Sequence, residues 1–180
     1  MTEGFPITTH WYALKVFFNR VFEIEDYIKQ QGIDSYIPCE TVVVTQRNGK
    51  KKKVRKPVIS SLLFFRSTER QAVALQARLD GRVMLYTRRE NLTKRPIRIP
   101  DKEMGIFMLV SSSGEQGLEY FSDDNLRFQK GEHVRVIDGR FKGAEGYICR
   151  IKGNHRLIVA IQGVCAIATS YIPQCFLQKI

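Results

Sequence analysis

The chain has 180 residues, 43% of them hydrophobic, which allows one good core or two small ones. Lys and Arg number 29 against 18 Asp and Glu, and the net charge of +11 favours a nucleic acid or another polyanion as partner, although a basic protein without such a partner stays an alternative. No apolar run approaches the roughly 20 residues that span a bilayer, and the N-terminal segment lacks the regions of a signal peptide. We therefore expect a soluble, cytoplasmic protein that does not contact membranes.

Cysteine and histidine spacing argues against metal or covalent chemistry. The four cysteines show no C-x-x-C spacing and have no nearby histidine that would suggest zinc, so we expect reduced thiols, most of them buried in apolar runs. The three histidines are isolated in sequence, and the glycine-rich segment 139–146 lacks the G-K-[ST] end of a phosphate loop. We therefore expect no enzyme activity, no metal and no cofactor.

The first elements of the chain predict a strand followed by a helix. Segment 10–17 is aromatic and aliphatic with few breaks, which is typical of a central strand. Asn19 is expected to cap a helix that runs to Gln31, with Gly32 as the C′ residue. A strand followed by a helix indicates a layered α/β module.

A basic hairpin follows. Asn48 and Gly49 give the strongest hairpin signal in the chain and join the β-prone segment 40–45 to a cationic return strand. Contact with a nucleic-acid backbone and a solvated hairpin that blocks edge pairing are both consistent with this pattern, and the basic character of the whole chain favours the first. The six cations of the hairpin are Lys50, Lys51, Lys52, Lys53, Arg55 and Lys56.

The remaining N-terminal elements complete an α/β pattern. Segment 61–65 predicts a buried strand, and Thr68 with Gln71 fits a capping box that opens a helix with Ala72, Leu75 and Leu79 facing inward. Segment 82–86 predicts another strand, and a third short helix starts at 100–101. The order β-α-β-β-β-α-β-α fits a compact α/β sandwich with an antiparallel sheet.

These residues resemble the N-terminal domain of NusG-type transcription factors. The resemblance rests on the Trp11-Tyr12 strand, the P-x-E-x-V run at 38–42, the strand after the hairpin and segment 96–104. It implies that an apolar concavity binds the clamp helices of RNA polymerase, and the matching positions are Val58, Ile59, Ser61, Leu63 and Phe65. It also implies contact with non-template DNA through Arg20 and Arg82, each of which is explained equally well as an ordinary surface arginine.

Segment 111–127 is the clearest domain boundary, being rich in serine, glycine and acidic residues. Residues 1–110 carry 20 basic and 11 acidic groups, 111–127 carry 1 and 4, and 128–180 carry 8 and 3. We therefore predict an N-terminal domain at 1–110, an acidic linker at 111–127 and a C-terminal domain at 128–180. The acidic linker is poorly suited to lie along nucleic acid, so it acts as a tether or folds back on the basic domain.

The C-terminal domain opens with two short alternating strands around a glycine-rich bend, which predicts a small β-barrel together with strands at 157–161 and 164–168. Each glycine of the bend is expected where φ is positive or where backbones pack closely. The segment resembles the KOW motif, which occurs in ribosomal proteins and in transcription factors. The matching residues are Gly131, Val134, Val136, Gly139, Phe141, Gly143 and Gly146.

An N-terminal NusG domain followed by a KOW module is the domain order of the NusG family, so the expected fold class is α+β. Segments 36–38, 56–59 and 150–154 look closest to the UpxY-type factors of capsular-polysaccharide operons in Bacteroides-like bacteria. The resemblance implies a monomer that binds RNA polymerase, is recruited through non-template DNA or nascent leader RNA, and antiterminates particular long operons.

In housekeeping NusG proteins, the KOW domain contacts Rho or the ribosome through a surface that carries an aromatic residue, an arginine and a Thr-Pro pair. These residues are missing from the corresponding region of this chain, and their absence predicts weakened coupling to Rho. Two alternatives remain: a general NusG-like elongation and termination factor, and a ribosome-associated KOW protein that binds RNA.

Overall fold

The computed structural model describes residues 8–122, 131–151 and 153–180. It divides into two compact units, one of Met1–Ile37 with Ser60–Asp101 and the other of Pro38–Ile59 with Lys102–Ile180. The predicted domain start at residue 128 lies outside the described residues, and the predicted domain boundaries stay predictions. In chain order the elements are β1 (His10–Val16), α1 (Val21–Gln30), β2 (Ser35–Tyr36), β3 (Cys39–Thr45), β4 (Lys51–Pro57), β5 (Leu62–Ser67), α2 (Glu69–Arg78), β6 (Val83–Leu85), β7 (Thr87–Glu90), β8 (Thr93–Pro96), α3 (Asp101–Ser111), β9 (Glu119–Ser122), β10 (His133–Val136), β11 (Glu145–Ile151), β12 (Asn154–Ile161), β13 (Cys165–Tyr171) and β14 (Leu177–Lys179).

The first unit contains the predicted antiparallel sheet, with the strand order β2-β5-β1-β6. Strand β1 lies in the centre and pairs antiparallel with both β5 and β6. All four residues of the segment 62–65 are 0% exposed. Because successive residues of a strand point to opposite faces, both faces of this sheet are covered.

The start of α1 differs from the prediction. Arg20, not Asn19, occupies the N-cap position and makes no side-chain capping bond. Phe18 and Asn19 instead have φ values of 61° and 56°, in the left-handed region. The predicted end is confirmed, since Gly32 follows the C-cap with a φ of 69° and its amide donates to the carbonyl of Lys29 at 2.9 Å.

Helix α2 has the predicted capping box and the predicted buried face. The Thr68 hydroxyl oxygen accepts a hydrogen bond from the backbone N–H of Gln71, and the Gln71 side-chain oxygen accepts one from the backbone N–H of Thr68. Ala72, Leu75 and Leu79 are all buried. The local signals of sequence therefore determine this helix from start to end.

Strands β7 and β8 form a separate two-stranded sheet that the sequence analysis did not predict. Their turn contains Asn91, with a φ of 56°, and no glycine. Asn tolerates this conformation better than other residues with a Cβ do, but the turn lacks the dipeptide that makes a hairpin recognisable in sequence.

The second unit contains the predicted basic hairpin, β3–β4, and a six-stranded antiparallel sheet with the order β14-β10-β11-β12-β13-β9. In the part of the chain that the structure describes this sheet is open, with β14 and β9 at its edges, so the closed barrel is not seen. Strand β9 lies within the predicted linker and pairs with β13. No helix among the described residues is long and apolar enough to cross a bilayer.

Candidate nucleic-acid interface

The β3–β4 ribbon presents its cations on two faces. The register places Lys51, Lys53 and Arg55 opposite Thr45, Val43 and Thr41, and residues directly opposite each other share a face. Lys52 lies on the other face, as does Lys56, whose ammonium is 3.8 Å from Glu40. All residues from 51 to 56 are exposed.

No two cations of this ribbon oppose each other across the strands, because β3 contributes only neutral side chains and one carboxylate. Cations on one face recur every second residue, about 7 Å apart along the strand. Lys50 extends the row into the turn, where its amide donates to the Asn48 side chain at 3.0 Å. The ribbon therefore presents a row of separate cations without like charges opposed across its strands, which is the arrangement that a row of phosphates requires.

The fold of the first unit brings Arg20 and Arg82 to the same end of its sheet. Strand β1 ends beside the start of β6, where Val16 pairs with Val83, and the Phe17 amide donates to the Arg82 carbonyl at 2.9 Å. The Arg20 side chain is 55% exposed and lies 3.7 Å from Glu23, an exposed pair that leaves it hydrated.

Phe18 is a candidate residue that the sequence analysis missed. It lies two residues before Arg20 in the turn after β1, is 76% exposed and has a φ of 61°. A bulky residue in this backbone region is uncommon, and an exposed ring gains nothing from burial. An aromatic face next to cations is the arrangement on which unpaired bases stack. Neither the exposure nor the backbone angle is visible in the sequence.

The five residues assigned to polymerase contact differ in accessibility. Leu63 and Phe65 are 0% exposed, so neither touches a partner while this conformation persists. Val58, Ile59 and Ser61 are half-buried and accessible, and the Val58 amide is held by the Pro38 carbonyl at 3.0 Å. The role of all five stays a prediction.

Three of the seven residues matched to the KOW motif, Val134, Val136 and Gly146, lie in strands of the C-terminal sheet. Val134, Val136 and Phe141 are at most 5% exposed. Gly143 has a φ of 92°, and a Cβ on Gly146 would lie 2.2 Å from the carbonyl oxygen of Ile158. The predicted reasons for these two glycines are confirmed, and both are structural.

Two carboxylates of the second unit have shifted pKa values. Burial raises the pKa of Glu103, although the Gln162 backbone N–H donates to its carboxylate and opposes that shift. Hydrogen bonds from Lys102 and Arg135 lower the pKa of Glu145, at 2.7 Å from each cation. Glu145 is therefore held as a carboxylate between two cations.

A mixed α/β chain with an exposed cationic ribbon has the character of a nucleic-acid-associated protein. A family model described as transcription termination factor nusG matches residues 9–108. The match covers more than half of the chain, which belongs to the NusG family of transcription elongation and termination factors; proteins of this family bind RNA polymerase.

Comparison with solved structures found NusG from Thermotoga maritima, at 17% sequence identity and a TM-score of 0.45, over 96% of this chain and 98% of that chain. No curated protein matched the chain.

Proposed function

We propose that this protein is a non-catalytic factor that travels with RNA polymerase and promotes processive antitermination of particular long operons, with capsular-polysaccharide operons as the expected targets. Membership of the NusG family carries the polymerase part of the proposal. The UpxY-like segments at 36–38, 56–59 and 150–154 support the specialised part. The C-terminal sheet is proposed to act as a KOW module.

Polymerase contact is assigned to the accessible residues Val58, Ile59 and Ser61, with Leu63 and Phe65 joining them only if the buried strand becomes exposed. A few well-packed side chains at the centre of an interface contribute most of its free energy when water is excluded. Val58 and Ile59 are half-buried, and their exposed parts are apolar surface that a clamp helix can cover.

Nucleic-acid contact is assigned to the basic ribbon and to the end of the first unit's sheet. Lys50–Lys53 and Arg55 supply sequence-independent attraction to phosphates. Arg20 and Arg82, together with the exposed ring of Phe18, suit an unpaired strand such as non-template DNA or a nascent leader RNA.

Weak coupling to Rho is supported by the region after the β12–β13 turn. Residues 164–167 are all 0% exposed, so they present no surface to a partner. The backbone amide of Gln162, in the turn, is engaged by the Glu103 carboxylate. An antiterminator benefits from both features, because a factor that does not recruit Rho does not deliver the termination signal.

The test is co-purification of the tagged protein with RNA polymerase, followed by mapping of the transcribed regions that it occupies. We expect polymerase in the eluate and occupancy confined to one or a few long operons, whose distal transcription is lost on deletion. Occupancy of most genes would instead identify a general elongation factor, and absence of polymerase would refute the proposal.

A matched pair of variants separates the proposed surface from general effects. Ile59→Glu places a charge in the proposed contact, and we expect recovery of polymerase to fall about tenfold or more. Val73→Glu changes an exposed aliphatic residue of α2, 48% exposed, and is expected to leave recovery unchanged. Equal recovery with both variants would remove Ile59 from the interface.

A further inference from the structure

The β7–β8 ribbon is the most charged exposed element of the first unit. Its eight paired residues include four cations and one carboxylate, and every residue from 87 to 95 is exposed. The base of the ribbon is fixed to the sheet, because the Tyr86 amide donates to the Ala13 carbonyl and the Ile97 amide donates to the Tyr86 carbonyl, at 3.0 and 2.9 Å. A firmly held base therefore carries a projecting cationic arm.

The register of this ribbon opposes like charges twice. Arg88 lies directly across from Arg95, and Arg89 lies directly across from Lys94. Opposed residues share a face with their Cβ atoms about 5 Å apart, where like charges destabilise the pairing. The two strands are thus paired although two pairs of like charges repel each other across them.

A carboxylate relieves the first face only. Arg88 Nε donates to Glu90 Oε1 at 2.9 Å, and Glu90 shares that face with Arg95. The second face carries Arg89, Lys94, a threonine and a proline. Neither Arg89 nor Lys94 has a carboxylate partner within the described residues. The charges of Arg89 and Lys94 on this second face can be balanced by an anion that comes from outside the unit.

Solubility and protection of a strand edge do not explain this arrangement. A single exposed lysine on each strand is enough to block edge pairing, and cations placed opposite neutral residues do so without repulsion. The β3–β4 ribbon follows that second pattern, since its cations oppose threonine, valine and one glutamate. The opposed pairs of β7–β8 therefore concentrate positive charge at a cost in repulsion that a bound polyanion would reduce.

We propose that the β7–β8 ribbon is a second nucleic-acid contact, in which Arg89 and Lys94 bind a phosphodiester backbone from either DNA or RNA. Two adjacent cations on one face neutralise neighbouring phosphates of one strand and release their counterions. The choice of nucleic acid over an acidic protein rests on the proposed function in transcription, whereas the binding itself needs no polymerase.

Lys94→Glu is the decisive variant, because it cannot act by unfolding the ribbon through charge. It places a carboxylate opposite Arg89 and converts a repulsive pair into an attractive one. We expect amide hydrogen exchange across residues 87–96 to stay equal or to slow. Arg70→Glu, on exposed α2, makes the same charge change elsewhere in the same unit and is the matched control.

Binding is measured by fluorescence anisotropy with the full chain and three naked probes, a single-stranded DNA, the same sequence as RNA and the duplex DNA. For the probe that the ribbon binds, Lys94→Glu should weaken binding at least about eightfold at 0.1 M salt and reduce the slope of log K against log salt by about 0.7 to 0.9. Arg70→Glu should leave the slope unchanged. The probe that loses affinity identifies the source of the phosphates.

Three binding results would overturn the proposal: no binding of any probe by the parent protein, no loss of affinity with Lys94→Glu, or equal losses with Lys94→Glu and Arg70→Glu. Faster exchange across the ribbon in Lys94→Glu would also overturn it, since the opposed cations would then not be repulsive. Recovery of polymerase with Lys94→Glu is recorded separately, so failure of the ribbon proposal leaves the polymerase proposal standing.

Discussion

Arg156 is the side chain whose removal should have the clearest structural effect. Its side chain is only 10% exposed and donates to the carbonyls of Thr169 and Gly117 and, at 2.6 Å, to the carboxylate of Glu119. These bonds attach the segment around β9 to the body of the C-terminal sheet. Arg156→Met keeps an unbranched apolar side chain of comparable length and removes all three bonds.

The expected loss is about 3 kcal/mol. Removing one partner of a buried ion pair costs about 3–5 kcal/mol, and the lower end applies because the Glu119 side chain is 33% exposed and regains water. A loss of this size shifts the local opening equilibrium about 150-fold. Hydrogen exchange in the full chain should therefore show the β9 amides exchanging about 150-fold faster in Arg156→Met.

Two further variants make this measurement decisive. Arg150→Met removes an exposed arginine from β11 and should leave β9 exchange unchanged. Arg156→Lys keeps the charge but lacks the planar fork that reaches three acceptors, so it should fall between the parent and Arg156→Met. Exchange of β9 at the parental rate in Arg156→Met would refute the assignment of Arg156 as its anchor.

Three other predictions follow from close contacts and charge. Gly146→Ala should lower the free energy of unfolding, measured in urea, by about 1–3 kcal/mol, because its Cβ would lie 2.2 Å from the Ile158 carbonyl oxygen. Gly105→Ala, whose Cβ would have nothing within 4 Å, should raise the free energy of unfolding by about 1 kcal/mol. Equal free energies of unfolding for the two variants would contradict this reasoning. Glu145→Gln should cost roughly 1 kcal/mol near pH 7. Because hydrogen bonds from Lys102 and Arg135 lower the folded-state pKa of Glu145, that difference should shrink as the pH falls through the folded-state pKa, and a difference that does not change with pH would be inconsistent. Asn19→Gly should raise the melting temperature by relieving up to about 1 kcal/mol of left-handed strain, and a lower melting temperature would disprove this.

Local signals predicted most elements of the first unit. The capping box of Thr68, the C′ glycine at position 32 and the apolar run at 62–65 each act within a few residues, and each element formed where expected. The uninterrupted apolar run of β5 also indicates a strand buried on both faces, since a strand with one wet face alternates.

The sequence predictions failed where the local structure depends on backbone angles or on residues that are distant in the chain. Asn19 has the side chain of a cap, but the turn after β1 places it at a φ of 56° and leaves the N-cap position to Arg20. The β7–β8 ribbon has no glycine in its turn and few apolar residues, so neither hairpin signal nor alternation marks it. Opposed charges become visible only once the register is known.

Segment 119–122 shows the same dependence on distant residues. Its composition, with glycine and acidic residues around it, favours a linker, yet Glu119–Ser122 pairs with β13 and is fixed by Arg156. The partner arginine lies 37 residues later in the chain, so no local window contains the reason for the strand.

Charge pairing within the second unit bears on which surface meets nucleic acid. Four of the six cations that the structure describes between residues 131 and 180 have carboxylate partners, which neutralises much of the positive charge of the C-terminal sheet. Their pairs are Arg135–Glu145, Arg140–Glu115, Arg156–Glu119 and Lys179–Glu132. Lys51, Lys52 and Lys53, by contrast, have no carboxylate partner in the part of the chain that the structure describes. The salt-dependent part of nucleic-acid binding comes from cations that are not already paired with carboxylates. The β3–β4 and β7–β8 ribbons, rather than the C-terminal sheet, should therefore contribute most of it. This distribution weighs against a ribosomal type of RNA binding through the C-terminal sheet and in favour of a factor whose nucleic-acid contacts project from hairpins.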